Sequence, residues 1–183
     1  PVKTNLSQRS TRPWARARFS RDETLTNIGT IMTATKDSKA IQTLMIVEDE
    51  VLVAILLREG LQRAGYKVLD LTDGHDAALE VAKAEKPHLA LVNVRLARGD
   101  DGIELSKHLK GLEIPVLLIS GQVSRASSAK TVAIGSMPKP YEPEEMVLAV
   151  AYLLARLNGD DTLPKPHQLE VFDDESFERD PPA

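Results

Sequence analysis

The chain reads as a doubly wound α/β sandwich built on a parallel sheet, and three observations carry that reading. Five short apolar runs alternate with five stretches of helical pattern over about 115 residues, the order expected of βα units. The central run, Leu89-Ala-Leu-Val-Asn-Val-Arg-Leu96, lies between Pro87 and Gly99 and is apolar on both faces rather than alternating, which suits a strand covered by helices on both sides. Polar residues recur at or just after the carboxyl ends of the apolar runs, where open α/β sheets place their ligand sites.

Each element has a local reason. Leu44–Val47 is an apolar run closed by Glu48-Asp49-Glu50. Val51–Ala64 follows as a helix, with Leu52, Ile55 and Leu56 in its apolar stripe, Glu59 and Arg63 on its polar face, and Gly65 as the stop. Tyr66–Leu71 is the second strand. Thr72-Asp73-Gly74 turns into a helix carrying Ala77, Ala78, Val81 and Ala82, which ends before Pro87. After the central strand, Ala97–Gly102 is a loop and Ile103–Leu109 a short helix. Pro115–Ile119 forms the fourth strand, Ser124–Val132 a weak helix without a clear stripe, and Ser136–Pro138 the fifth strand. Pro143 opens the last helix with acids in its first turn, and Met146, Val147, Val150, Leu153, Leu154 and Leu157 form its stripe before Asn158-Gly159.

The flanks differ from this middle. The net charge of −4 hides a basic segment 1–40, a mildly acidic segment 41–157 and a strongly acidic segment 158–183. Both ends are therefore expected to be mostly disordered around one ordered domain at 41–157. In the tail, Leu169-Glu-Val-Phe172 and Phe177 stand among acids. They suit a solvated tail or a segment that docks on a partner or a second copy. The 183 residues contain no cysteine, which removes disulfides and thiolate metal sites, and only 4% aromatic residues, which disfavours a stacking platform for nucleic acid. No apolar run approaches the roughly 20 residues of a bilayer span, so no membrane association is expected and a cytoplasmic protein is. The four histidines are scattered along the chain without metal-ligand spacing.

In a parallel sheet the strand ends converge on one rim, which here gathers Glu48, Asp49, Asn93, Ser120 and Lys139. Hard carboxylate oxygens suit Mg²⁺, while an ammonium and a hydroxyl suit the oxygens of a phosphoryl group.

In these motifs the chain resembles the receiver domain of bacterial two-component response regulators. The likeness runs from about Thr43 to Leu157 and rests on Ile46-Val-Glu-Asp-Glu50, on Leu-Val-Asn-Val-Arg-Leu96 with Asp101-Gly102-Ile-Glu-Leu105, on Leu-Ile-Ser-Gly121 and on Lys139-Pro140. It implies a flavodoxin-like (βα)₅ fold with strand order 2-1-3-4-5. It implies a Mg²⁺ site of Glu48, Asp49, the residue at 93 and the backbone carbonyl of Arg95. Ser120 would be the switch hydroxyl, Lys139 the partner of the phosphoryl group, and Pro140 would follow a cis peptide. A sensor histidine kinase or phosphotransfer protein would be the partner. The fourth helix, fifth strand and fifth helix would form the output face, open to homodimerisation. With no winged-helix or helix-turn-helix segment after Leu157, a stand-alone receiver without direct DNA binding or enzymatic activity is expected.

Asn93 stands where the family carries its phosphoacceptor aspartate. A carboxamide is a much poorer nucleophile than a carboxylate, so this form is expected not to accept phosphate and to hold Mg²⁺ weakly. We read Asn93 as an engineered Asp→Asn change that locks the inactive state; the alternative is a natural pseudo-receiver acting as a phosphorylation-independent interaction module. Ser136 occupies the place, three residues before Lys139, where many receivers have an aromatic switch residue, and Tyr141 is not that position. A Mg²⁺-dependent phosphotransferase using Asp49 as nucleophile is disfavoured, since Val51 stands where such enzymes want a second aspartate.

Overall fold

The computed structural model describes residues 41–96, 99–121 and 129–172. β1 (Thr43–Val47), β2 (Lys67–Val68), β3 (Leu89–Asn93), β4 (Val116–Ser120), β5 (Gly135–Pro138) and β6 (Glu170–Val171) form one sheet in the order β2-β1-β3-β4-β5-β6. The first five strands are parallel, as expected, and β6 joins β5 antiparallel. Four helices are described: α1 (Val51–Arg63), α2 (His75–Glu85), α3 (Gly102–Gly111) and α4 (Pro143–Leu157). No described helix is long and apolar enough to cross a membrane.

Strand side chains divide cleanly by their period of two. Met45, Val47, Ala90, Val92, Val116 and Leu118 face α2 and α3, where Ala78, Ala82, Leu105 and Leu109 meet them. Leu44, Ile46, Leu89, Leu91, Leu117 and Ile119 face α1 and α4, against Leu57, Leu61, Met146, Val150 and Leu153. All of these central-strand side chains are inaccessible to solvent, which explains why the sequence of β3 shows a run rather than an alternation.

The helices begin and end where their residues allow. The side chain of Asp101 accepts a hydrogen bond from the Ile103 amide at 2.8 Å and caps α3. Glu142 and Glu145 form a capping box around Pro143 at the start of α4. Gly65, at φ 93°, terminates the α1 turn. In α1 the inward set is Ala54, Leu57 and Leu61, spaced at three and four residues, so the expected stripe of Leu52 and Leu56 faces outward instead. Val51, Leu52 and Leu56 are all more than half exposed.

One expectation requires correction. The segment after Leu157, expected to be largely disordered, carries β6 within its described part, 158–172, and Leu169 and Phe172 are buried there. Two apolar side chains three residues apart, rather than a periodic run, secure it. The weak helix expected at Ser124–Val132 falls mainly on residues outside the described set, and Ala129–Val132 form a turn.

Register aligns the carboxyl ends. Val47 pairs with Val92, Asn93 with Ile119, and Ser120 with Pro138, so the residues following β1, β3, β4 and β5 emerge at one rim. Beyond β3, the Gly102 amide donates to the Val94 carbonyl at 3.1 Å, and Gly99 takes φ 86°. A Cβ on Gly102 would run into the Asn93 carbonyl group and the Val92 side chain. Gly102→Ala is therefore expected to cost about 1–3 kcal/mol, as overpacking does, measured as a lowered urea midpoint. An unchanged midpoint would show that the α3 start is free to shift.

Candidate functional site

Glu48 follows β1 directly and its side chain is fully enclosed. A buried carboxylate is tolerated only when its oxygens are paired, and both are. Oε1 accepts from the Asn93 amide nitrogen at 2.7 Å and from the Glu50 backbone amide at 3.3 Å. Oε2 accepts from Lys139 Nζ at 2.9 Å. The Asn93 amide also donates to Asp49 Oδ1 at 3.0 Å. One carboxamide thus bridges the two carboxylates, using both of its N–H groups. Its oxygen faces the Arg95 backbone amide at 3.4 Å.

Lys139 closes the arrangement from β5. Its backbone amide donates to the Ser120 carbonyl at 2.9 Å, which joins the ends of β4 and β5. Its ammonium reaches Glu50 Oε1 at 3.3 Å as well as Glu48. Burial alone would push this ammonium down, but the hydrogen bond and charge of Glu48, then those of Glu50, outweigh it and hold the group above the usual lysine range. A pKa raised on folding contributes stability that is complete below the unfolded value and is lost as pH climbs through the folded one. This contribution therefore fades only in alkali, above the ordinary lysine range. The Lys139–Pro140 peptide is cis.

These residues border a cleft of about 400 Å³ lined by Asp49, Asn93, Arg95, Ser120, Gly121 and Lys139 among others. The expected set of Glu48, Asp49, Asn93, Ser120 and Lys139 is brought together at the rim; Ser120 is buried on the wall. A divalent cation here would draw on Asp49, Glu48, the Arg95 carbonyl and the Asn93 oxygen. As the side chains stand, the Asn93 nitrogen occupies the carboxylates, so a cation requires the amide to turn its oxygen inward. Among the described residues no group of three or more His, Asp and Glu side chains is arranged to hold a metal ion.

Several participants were not legible as such. Glu50, which closes the acidic run after β1, is a second carboxylate on Lys139. Away from the cleft, His75 and His108 meet between α2 and α3, with Nε2 and Nδ1 3.2 Å apart. Tyr141 encloses its hydroxyl beside the acids without a hydrogen-bond partner. Burial, then the charges of Glu48 and Glu50, pushes that hydroxyl from 10.0 up to about 12.

Comparison with known proteins agrees with this geometry. The family model described as response regulator receiver domain matches residues 44–151. The transcriptional regulatory protein YbdJ of Bacillus subtilis, itself uncharacterized, is 36% identical over 120 residues, covering 63% of this chain and 52% of that protein. The alkaline phosphatase synthesis transcriptional regulatory protein PhoP of the same organism is 33% identical over 118 residues, 62% of this chain and 48% of its own length. The chain thus spans about half the length of these curated relatives. Among solved structures, the signal receiver domain of a modulated diguanylate cyclase from Desulfovibrio desulfuricans superposes with a TM-score of 0.56 at 31% identity, over 63% of this chain and 94% of that one.

Two measurements check the site. In EDTA, Asn93→Asp replaces a donor between two acids by a third carboxylate, and should lower stability by about 1.5–3 kcal/mol, the usual worth of a hydrogen bond to a charged group. Equal stability of the two forms in chemical denaturation would contradict the bridging amide. In alkaline titration of phenolate absorbance, Tyr141→Phe should remove one phenol that ionises near pH 12; ionisation of Tyr141 near pH 10 would show that its hydroxyl is open to water. The rim of acids, hydroxyl and lysine, the sheet that assembles it and the family match together place the chain in the response regulator receiver domain family.

Proposed function

We propose that the chain is a two-component receiver held in its unphosphorylated form by Asn93, serving as a protein-interaction module toward a sensor histidine kinase or a phosphotransfer protein in the cytoplasm. The bridging carboxamide carries this reading. It supplies two N–H donors to Glu48 and Asp49 at 2.7 and 3.0 Å, where the family generally uses a Mg²⁺ ion. Mg²⁺ binds weakly as a result, having to displace these bonds with one negative charge fewer to attract it. When bound, the ion would neutralise the charge of an incoming phosphoryl group.

The chemistry of position 93 follows from its atoms. In the ordinary family reaction a carboxylate oxygen attacks phosphorus, forms an acyl phosphate and expels the donor's leaving group. The Asn93 oxygen lacks that negative charge and nucleophilicity. Ser120 and Lys139 remain as the hydroxyl and ammonium that would meet a phosphoryl group, and Lys139 is instead neutralised by Glu48 and Glu50. Engineered and natural origins of Asn93 lead to this same chemistry. The pseudo-receiver alternative is favoured by one feature, that the described acids and Lys139 satisfy one another without cation or phosphate.

A partner surface lies beside the cleft. Val51, Leu52 and Leu56 project from the first turns of α1 at 67, 76 and 57% exposure, an apolar strip spaced for contact with another helix. Incubation with acetyl phosphate and Mg²⁺ should leave the chain unmodified and give Asn93→Asp a hydroxylamine-sensitive phosphoryl group. Phosphorylation of the chain itself, with the variant left unmodified, would overturn the assignment of position 93.

A further inference from the structure

The segment after α4 is required neither by the cleft nor by the parallel sheet, yet it is held tightly. Leu169 is 1% exposed and joins the core on the sheet face that carries α1 and α4, while Phe172 is 5% exposed and joins the core on the opposite face. The segment therefore grips the edge of β5 from both faces. Between these anchors, Val171 pairs with Gly135 and Glu170 with Ser136, and the Phe172 amide donates to the Ile134 carbonyl at 2.9 Å. Gln168 donates to both carboxylate oxygens of Glu145, at 2.9 and 3.0 Å. Lys130 pairs with Glu170 at 3.3 Å.

Gly135 is fitted to this contact. The three atoms nearest to a Cβ built there all belong to the segment: the Glu170 carbonyl oxygen at 2.7 Å, Leu169 Cδ1 at 3.6 Å and Val171 Cα at 3.7 Å. The connection behind the segment is of another character. Residues 158–162 are exposed, Gly159 takes φ 75°, and the Asp160 side chain accepts from Thr162. The contacts that recognise the segment are made by β5, α4 and the turn before β5, so the seat does not distinguish which copy supplies its occupant.

We propose that the β5 edge and the Leu169–Phe172 segment are two halves of a self-association site, in which a second copy's segment replaces the chain's own. The occupant is the segment itself, whose residues 169–171 already fit this edge closely. An edge strand with unpaired backbone groups seeks a partner strand, and exchange keeps both edges covered, a low-cost route to a dimer. The 11 residues 158–168, if extended, reach roughly 35 Å, enough to cross to a neighbour. The chain's own segment holds the seat until the concentration of chains approaches its effective concentration, of order millimolar for a short link. Exchange is thus a response to local crowding of receivers. It does not rest on the fate of position 93.

Two full-length variants separate the halves. Leu169→Asp/Phe172→Asp leaves the edge open with no segment able to seat, and Gly135→Val leaves the segment free with the edge blocked. In sedimentation velocity at micromolar concentration, each folded variant alone should be a monomer and their mixture a 1:1 complex. A mixture that sediments as two monomers overturns the proposal. So does self-association of the Leu169→Asp/Phe172→Asp chain, which would mean that bare β5 edges pair directly. Should either variant fail to fold, a peptide of residues 163–172 is titrated onto the Phe172→Ala chain. Saturable binding at least tenfold tighter than to the unaltered chain is expected, and lost when the peptide's own Leu is Asp. Absence of binding overturns the proposal equally.

Discussion

Enclosing the Glu48 carboxylate is the constraint on which the rest of this molecule depends. A charge removed from water must find donors for its oxygens, and here the donors come from three separate strands' ends: the amide of Asn93, the ammonium of Lys139 and the backbone of Glu50. Unpaired, such a group in the interior would be strongly destabilising. The sheet order that brings β1 between β2 and β3, with β5 two strands further on, is what makes this pairing possible. The same pairing ties the ends of β1, β3 and β5 together.

How much of this was legible in the sequence depends on the range of the interaction involved. The central strands announced themselves because both faces are covered, and a run such as Leu89–Val92 has no other use. The rim residues followed, since parallel strands of similar length must end together. Less legible were features made by isolated contacts. The residues of β6 carry no periodic pattern and sit in an acidic stretch, so composition pointed to disorder; only Leu169 and Phe172 hold them. The outward position of Leu52 and Leu56 was masked because Ile55 and Leu57 blur the stripe in a helix that is apolar around much of its first turns. Glu50 became visible as a site residue only once Lys139, 89 positions away, stood beside it.

Asn93 sets the electrostatics of the rim through a single amide nitrogen. The carboxamide, the two neighbouring acids, the hydroxyl and the lysine meet at one rim of the sheet. Exchanging one oxygen for a nitrogen converts an acceptor into a donor, so the cluster that would repel itself without a cation becomes mutually satisfied. The carboxamide, the acids and Lys139 are thereby electrostatically self-sufficient at the rim.

The Asp100 side chain gives the loop after β3 a second task. Its Oδ2 accepts from the His75 backbone amide at 2.9 Å and so caps α2, although Asp100 and His75 belong to different βα units. Lengthening that loop would carry the acceptor away and leave the α2 terminus bare, with its positive end facing water. Evolution of the loop is thereby tethered to a helix that never touches the cleft, which restricts insertions at a place where loops usually vary most freely.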